Sequence, residues 1–410
     1  MKLSEIGQIV AGGTPKTKIE EYWNGDVPWI TPKDLSSHAG MYISRGERNI
    51  SQVGLDNSSA KLLPKGTVLF TSRAPIGYVA IARNEVTTNQ GFKSIIVDDE
   101  NDNIFIYYLL KNNIDIIENH ANGSTFKEIS GSVMKSLEFG IPSLREQKAI
   151  AHILSTLDDK IEVNNEINKT LENMAQVIFK QWFVDFEFPN EDGGPYKSSG
   201  GEMVESELGM IPKGWEVKVL GEIIDIIKQG TKPGEHLKDR KYNPIDTLPM
   251  KSIAINDFKP YEEAKSSLIL FEKYDILIGA MRVYFHRVNL APYKGITRTT
   301  TFVLRSKRIQ DVPYNLFLLN MDETIDYAER TSKGSTMPYA VWDNGMSNIL
   351  VAYSNQELRN KFFQIIQPML ETIMKKSAEN EVLIKLRDSL LPKLMSGEIR
   401  VPLDEEGDVS

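Results

Sequence analysis

A helical signature that occurs twice constrains this chain more than any other feature. From Leu144 to Phe183 there is neither Pro nor Gly, and apolar residues recur in alternating steps of four and three. They run Ile150, Leu154, Leu157, Ile161, pass through polar Asn164 and Asn168, and continue as Leu171, Ala175, Ile178 and Trp182. This spacing is a heptad seam. The same template fits between Gln356 and Met395 as Phe362, Ile366, Met369, Ile373, Lys376, Asn380, Leu383, Arg387, Leu390 and Leu394, each 212 residues after its counterpart. A constant offset through ten positions, with Asn168 falling on Asn380, points to a duplication.

The duplication reaches upstream with gaps. Leu3-Ser4-Glu5-Ile6 matches Leu220-Gly221-Glu222-Ile223, Thr67–Phe70 matches Asp275–Ile278, and Gly123-Ser124-Thr125 matches Gly334-Ser335-Thr336. Each half reads as a mixed block followed by a long helix. Strand-like runs such as Ser94–Val97 and Thr301–Leu304 stand beside short helices at Ile104–Lys111 and Tyr314–Asn320. The expected fold is therefore α+β: two similar mixed α/β globular domains separated by two long antiparallel helices forming a coiled-coil stalk, with a pseudo-two-fold internal repeat. The expected boundaries are 1–143 for the first block, 144–188 for its helix, 189–212 for a polar, Gly-rich linker, 213–354 for the second block, 355–397 for its helix and 398–410 for a tail. About 40 helical residues at ~1.5 Å each span ~60 Å, more than one such block is wide, so the helices are expected to pair with each other. The polar seam residues Asn164, Asn168, Lys376 and Asn380 are expected to set register. Pro368 is expected to kink or break the second helix near Ile365.

With 410 residues the chain holds two to three domains, and 41% hydrophobic with 25% charged residues is an ordinary globular composition. The absence of Cys removes disulfides, thiolate metal sites and cysteine nucleophiles together, and suits a reducing compartment. Met1–Glu5 lacks the basic start and apolar run of a secretory signal, so a cytoplasmic protein is expected. The net charge of −8 at first opposes a polyanionic partner. Residues 213–354 nevertheless carry 20 basic against 17 acidic side chains, while the 189–212 segment carries 1 against 5. The acidic excess is concentrated in the linker, the tail and one helix, which leaves room for a basic face on the blocks.

Catalytic motifs are missing. The sequence has no G-x-x-x-x-G-K-[ST] phosphate loop, no G-x-G-x-x-G after a strand, no H-E-x-x-H, no G-x-S-x-G, and no Asn-Pro-Pro-aromatic loop of an adenine methyltransferase. Its five His residues show no metal-ligand spacing. What remains are polar and basic loops suited to phosphates and base edges. In the first block these hold Thr14, Lys16, Lys18, Ser72, Arg73, Asn89, Gln90, Thr125 and Lys127. In the second they hold Lys228, Gln229, Thr231, Lys232, Arg282, Arg298, Thr300, Lys333, Ser335 and Thr336. Arg suits guanine, Asn and Gln suit adenine, and Ser, Thr and Lys hold phosphates. A sequence-specific DNA-binding subunit is the leading expectation. A protein–protein scaffold with two binding heads, and a hydrolase or lone methyltransferase, are the alternatives.

Several stretches carry a family likeness: Tyr22-Trp23-Asn24-Gly25-Asp26-Val27-Pro28-Trp29-Ile30, Ile141-Pro142-Ser143-Leu144-Arg145-Glu146-Gln147-Lys148, and Leu391-Pro392-Lys393-Leu394-Met395-Ser396-Gly397. With the block–helix–block–helix layout, the chain resembles the specificity subunit of type I restriction-modification systems over essentially its whole length. The resemblance implies a non-catalytic subunit whose two target-recognition domains each read half of a bipartite, asymmetric DNA site. It also implies docking of two methyltransferase subunits. S-adenosylmethionine would be bound there, and ATP and Mg in motor-nuclease subunits that join the complex; this chain would hold no cofactor.

Overall fold

The first long helix starts where the sequence licenses it. Ser143 stands ahead of Leu144, its Oγ accepting the Glu146 amide at 3.4 Å, and the helix then runs unbroken over Leu144–Phe179. It ends in a π-helical turn, Lys180–Val184, in which Trp182 and Phe183 are both buried. The second long helix, Gln356–Ser396, is capped by Asn355, whose Oδ1 accepts the Leu358 amide at 2.9 Å. Gly397, at φ +75°, takes the left-handed position just past its end.

The computed structural model describes residues 1–36, 38, 40–122 and 127–402. Two compact units result: residues 1–162 with the chain from Leu383 onward, and Val163–Val382. Each long helix contributes to both.

In the first unit a five-stranded sheet takes the order Gly7–Ala11, Lys93–Val97, Val68–Ser72, Ile76–Ala82, Tyr42–Ile43, antiparallel except for the last pair. A smaller sheet sets Trp23–Ile30 between Arg48–Ile50 and the parallel Thr87–Thr88. Trp23 and Trp29 belong to its core, with ring centroids 5.0 Å apart. The helix Asn103–Asn112 lies on the main sheet, and its buried face joins Ile150, Leu154, Leu391 and Leu394 in one apolar core. Here the two long helices are adjacent: Arg387 pairs with Asp158 at 2.5 Å, and Tyr108 donates to the same carboxylate at 2.6 Å. Burial, with this carboxylate beside it, pushes the Tyr108 hydroxyl far above the ordinary phenol range, so it stays a donor.

The second unit repeats the plan. Its sheet runs Ile224–Ile226, Thr301–Ser306, Ile276–Gly279, Val288–Leu290, all antiparallel, with Ala254 bridging Leu290 in parallel where Tyr42 meets Ile81 in the first unit. A second sheet orders Gly230–Thr231, Leu268–Phe271, Gly295–Arg298, Lys241–Tyr242. The helices Val312–Leu319 and Asp322–Arg330 follow the last main-sheet strand, as Asn103–Asn112 and Ile114–Asn119 do in the first unit. One strand order in both units is the structural form of the duplication.

Within the second unit the long helices run antiparallel through a polar layer. Asn164 Nδ2 donates to Asn380 Oδ1 at 2.8 Å, Asn380 Nδ2 to Asn165 Oδ1 at 2.8 Å, and Asn168 Nδ2 to Ser377 Oγ at 3.3 Å. Two details of the expected seam are corrected. Leu370 and Ser377, rather than Met369 and Lys376, are the buried residues at their turns, because the helix packs on the block as well as on its partner helix and follows a 3.6-residue period. Leu157, Ile161, Leu171, Ile178, Leu383 and Leu390 are only half-buried, for the same reason. Pro368 does not break the helix. It is exposed, as is Gln364, whose carbonyl it leaves without the usual amide donor on the solvent side, while buried Phe362, Ile366 and Leu370 hold the turns on either side.

The 189–212 segment is also more structured than its composition suggests. Met203–Ser206 and Gly209–Pro212 form a hairpin in which Val204 lies opposite Ile211, and both pack on the core of the second unit.

Candidate nucleic-acid interface

Three loops meet at one end of the first unit's main sheet. The loop after Gly7–Ala11 lies on the 88–92 loop: Gly13 donates its amide to the Thr88 carbonyl at 2.8 Å, and Thr14 hydrogen-bonds Gln90. Approach is closest at Gly12, where a Cβ would stand 1.9 Å from the Asn89 carbonyl oxygen, so only glycine fits. Ser72, the last residue of its strand, takes the Gly91 carbonyl through its amide at 2.7 Å and its hydroxyl at 3.1 Å. Arg73 follows, bridged in antiparallel fashion to Glu128.

The structure thus gathers Thr14, Ser72, Arg73, Asn89 and Gln90. Asn89 is partly structural, because its Oδ1 accepts the Gly91 amide at 2.8 Å. Lys16, Lys18 and Lys127 are exposed beside this cluster or on its flank, and the Lys16 carbonyl receives Trp23 Nε1 at 3.3 Å. Thr125 lies outside the described residues.

Sequence reasoning missed two members. Glu128 stands 3.6 Å from both Arg73 and Lys93, and Lys93 in turn reaches Ser72 Oγ at 3.4 Å. The Lys93 side chain is only 11% exposed against 37% for Arg73, so one carboxylate ties an inner and an outer cation together. The available signal was a lysine at the head of the strand-like run Ser94–Val97; Glu128 carried none.

In the second unit the corresponding loops enclose an open cavity of about 590 Å³, lined among others by Lys228, Met281, Thr300, Phe302, Lys333 and Tyr339. Three expected residues, Lys228, Thr300 and Lys333, therefore share one site. Lys228 pairs with Asp343 at 2.9 Å on its rim. Lys333 and Tyr339 exchange both backbone hydrogen bonds at 2.9 Å, closing a hairpin whose exposed tip carries Ser335 and Thr336. Arg282 is exposed and left-handed at φ +49°, held by its amide on the Pro338 carbonyl at 2.8 Å. Gln229, Thr231, Lys232 and Arg298 form a separate group around the smaller sheet, where Thr231 and Arg298 flank Leu268 from opposite sides. Thr231 Oγ1 is 3.0 Å from His236 Nε2. Also unforeseen is the exposure of Tyr284, Phe285, Met337 and Tyr339, 37–50% each, around Arg282.

Chemically, both clusters offer hydroxyl and cationic donors with apolar surface between them, which is what phosphate and base-edge contacts use. Among the described residues there is no group of three His, Asp or Glu able to hold a metal, and no helix long and apolar enough to cross a membrane.

Known proteins resemble this chain over most of its length. The family model for the type I restriction modification DNA specificity domain matches residues 1–173. The type I restriction enzyme MjaIX specificity subunit of Methanocaldococcus jannaschii is 37% identical, over 98% of this chain and 93% of its own. The HindI specificity subunit of Haemophilus influenzae is 24% identical, over 84% and 89%. Among solved structures, the S subunit of a type I restriction-modification system from M. genitalium shares the fold, with a TM-score of 0.61 at 18% identity over 96% of this chain and 95% of that one.

Proposed function

Since the chain belongs to the specificity subunits of type I restriction enzymes, we propose that it is the DNA-reading component of such a complex, each unit recognising one half of a bipartite, asymmetric site. The observation that carries this reading is the pair of loop clusters, Thr14–Ser72–Arg73–Gln90 in one unit and Lys228–Thr300–Lys333 with Arg282 in the other, at the same end of the same strand order. A polar, cationic cluster at one place in a duplicated scaffold is suited to bind the same kind of polymer twice, and different side chains there make the two half-sites differ.

In this reading the chain is not itself catalytic. The long helices dock two methyltransferase subunits, which bring S-adenosylmethionine to the DNA in the cytoplasm. Motor-nuclease subunits that use ATP and Mg join the same complex.

The test is to express the chain with its methyltransferase and sequence the methylated bases of the host. A single split motif is expected. In the purified complex, Arg73→Ala or Arg282→Ala weakens binding to that motif about tenfold or more and to random duplex far less. Equal loss on both duplexes reduces these arginines to phosphate anchors, and a contiguous motif or none defeats the proposal.

A further inference from the structure

Strand register allows the two clusters to be aligned position by position. Val68 lies opposite Ile95 as Ile276 lies opposite Leu304, and Thr71 opposite Phe92 as Gly279 opposite Thr301. Counting along these strands sets Lys93 against Phe302. One residue past Thr71 and Gly279, the Ser72 amide takes the Gly91 carbonyl at 2.7 Å, as the Ala280 amide takes that of Thr300 at 2.8 Å. The returns match as well: Ile129 donates to the Ser72 carbonyl at 3.0 Å, and Ala340 to that of Ala280 at 2.8 Å. Arg73 bridges Glu128, which bridges Asn122; Met281 bridges Tyr339, which bridges Lys333.

Four positions therefore correspond: Ser72 with Ala280, Arg73 with Met281, Lys93 with Phe302, and Glu128 with Tyr339. All four are polar or charged in the first unit and apolar or aromatic in the second.

The backbone is shared while the chemistry is inverted. In the first unit Glu128 holds Arg73 and Lys93 at 3.6 Å each. One carboxylate cannot satisfy the five donors of a guanidinium, so Arg73 keeps donors for an acceptor-rich edge, which in the major groove is the N7 and O6 of guanine. In the second unit Phe302 packs against Trp342, ring centroids 6.4 Å apart, while Tyr339 remains 46% exposed over the cavity. The one apolar feature that base pairs show in the major groove is the methyl of thymine.

We propose that the exposed pairs among these positions, Arg73 with Met281 and Glu128 with Tyr339, read bases in both units over the buried Ser72 and Ala280, the first unit selecting a guanine edge through Arg73 and the second a thymine methyl against Met281, Phe302 and Tyr339. The inference rests on the reading of the chain as a DNA-specificity component.

The experiment uses the complex of this chain with its methyltransferase. Arg73→Met relaxes a guanine in one half of the methylated motif and leaves the other half intact. Tyr339→Ser relaxes an A·T pair in the other half. On synthetic duplexes, uracil in place of the thymine of that pair weakens binding about tenfold for the parent complex and not for Tyr339→Ser.

The proposal is overturned if both variants keep every base of the parental motif, if one variant relaxes bases in both halves, or if uracil is neutral with the parent. Should Arg73→Met abolish methylation everywhere, Arg73→Lys decides, since it keeps the charge without the planar fork; an unrelaxed motif then overturns the assignment. The uracil duplex tests the second unit without any substitution. A parent complex that shows no split motif sinks the underlying functional reading instead.

Discussion

Arg359 is buried to 5% exposure against Asp311 at 3%, with Nε–Oδ1 at 2.8 Å, a further bond to the Ser354 carbonyl, and its guanidinium 3.8 Å above the Tyr353 ring. Removing one partner leaves the other charge dry and uncompensated. Asp311→Ala should therefore lose about 3–5 kcal/mol in chemical denaturation, and replacing both residues by apolar ones should lose much less. Equal losses would mean that packing, not charge, holds this joint. Glu172 is a different case. Its carboxylate takes the Ser252 hydroxyl at 3.0 Å and the Ala254 amide at 3.2 Å, but burial outweighs these bonds and raises its pKa above the ordinary 4.5. A group whose folded pKa is raised gives its full stabilisation below the unfolded value and loses it as pH climbs through the folded one. Glu172→Gln, which keeps an acceptor, should therefore melt higher than the parent at pH 8, with the gap closing as pH falls through the carboxylate range. A gap independent of pH would overturn this.

At the scale of elements, the polar layer and the exposed proline act in opposite directions on the second long helix. Asn380 both accepts from buried Asn164 and donates to exposed Asn165, so Asn380→Leu takes from Asn164 its partner inside the seam and leaves it only the Glu379 carboxylate at 3.1 Å. A loss of about 1–3 kcal/mol is expected, largely recovered when Asn164→Leu is added, as a double-mutant cycle would reveal. Additive losses would show that the pair is not coupled. Pro368 lies on the wet side of its helix, so restoring an amide disturbs no packing. Pro368→Ala should raise stability by up to ~3 kcal/mol, read as a shift of the unfolding midpoint at unchanged slope.

For the whole molecule, the duplication makes one half a test of the other. A chain cut after residue 190 loses Leu391 and Leu394, which share the apolar core of Ile150 and Leu154, and Arg387, which neutralises Asp158. Their counterparts 212 residues earlier are Phe179, Trp182 and Ala175. A second copy can supply the two apolar ones through its own helix. The truncated chain should sediment as a dimer and, with the methyltransferase present, direct methylation to a palindromic form of one half-site. A monomer that melts like the full chain would refute the equivalence of the halves.

Local signals and long-range pairing divide what could be read at each stage. Already legible in the sequence were the two long helices, their 212-residue relation, the two central strands of each main sheet and the α+β class. Each of these follows from periodicity and punctuation, which neighbouring residues set among themselves. It also pointed to loops carrying Thr14, Arg73 and Gln90. Tertiary structure alone decided which loops meet. Lys93 and Glu128 become a site only because strands distant in sequence pair in one register, and Met281, Phe302 and Tyr339 stand at the same positions in the second unit for the same reason. Convergence of this kind depends on contacts that no local pattern encodes. The helix through Pro368 differed from expectation on similar grounds, because tertiary burial of Phe362, Ile366 and Leu370 outweighs one missing hydrogen bond.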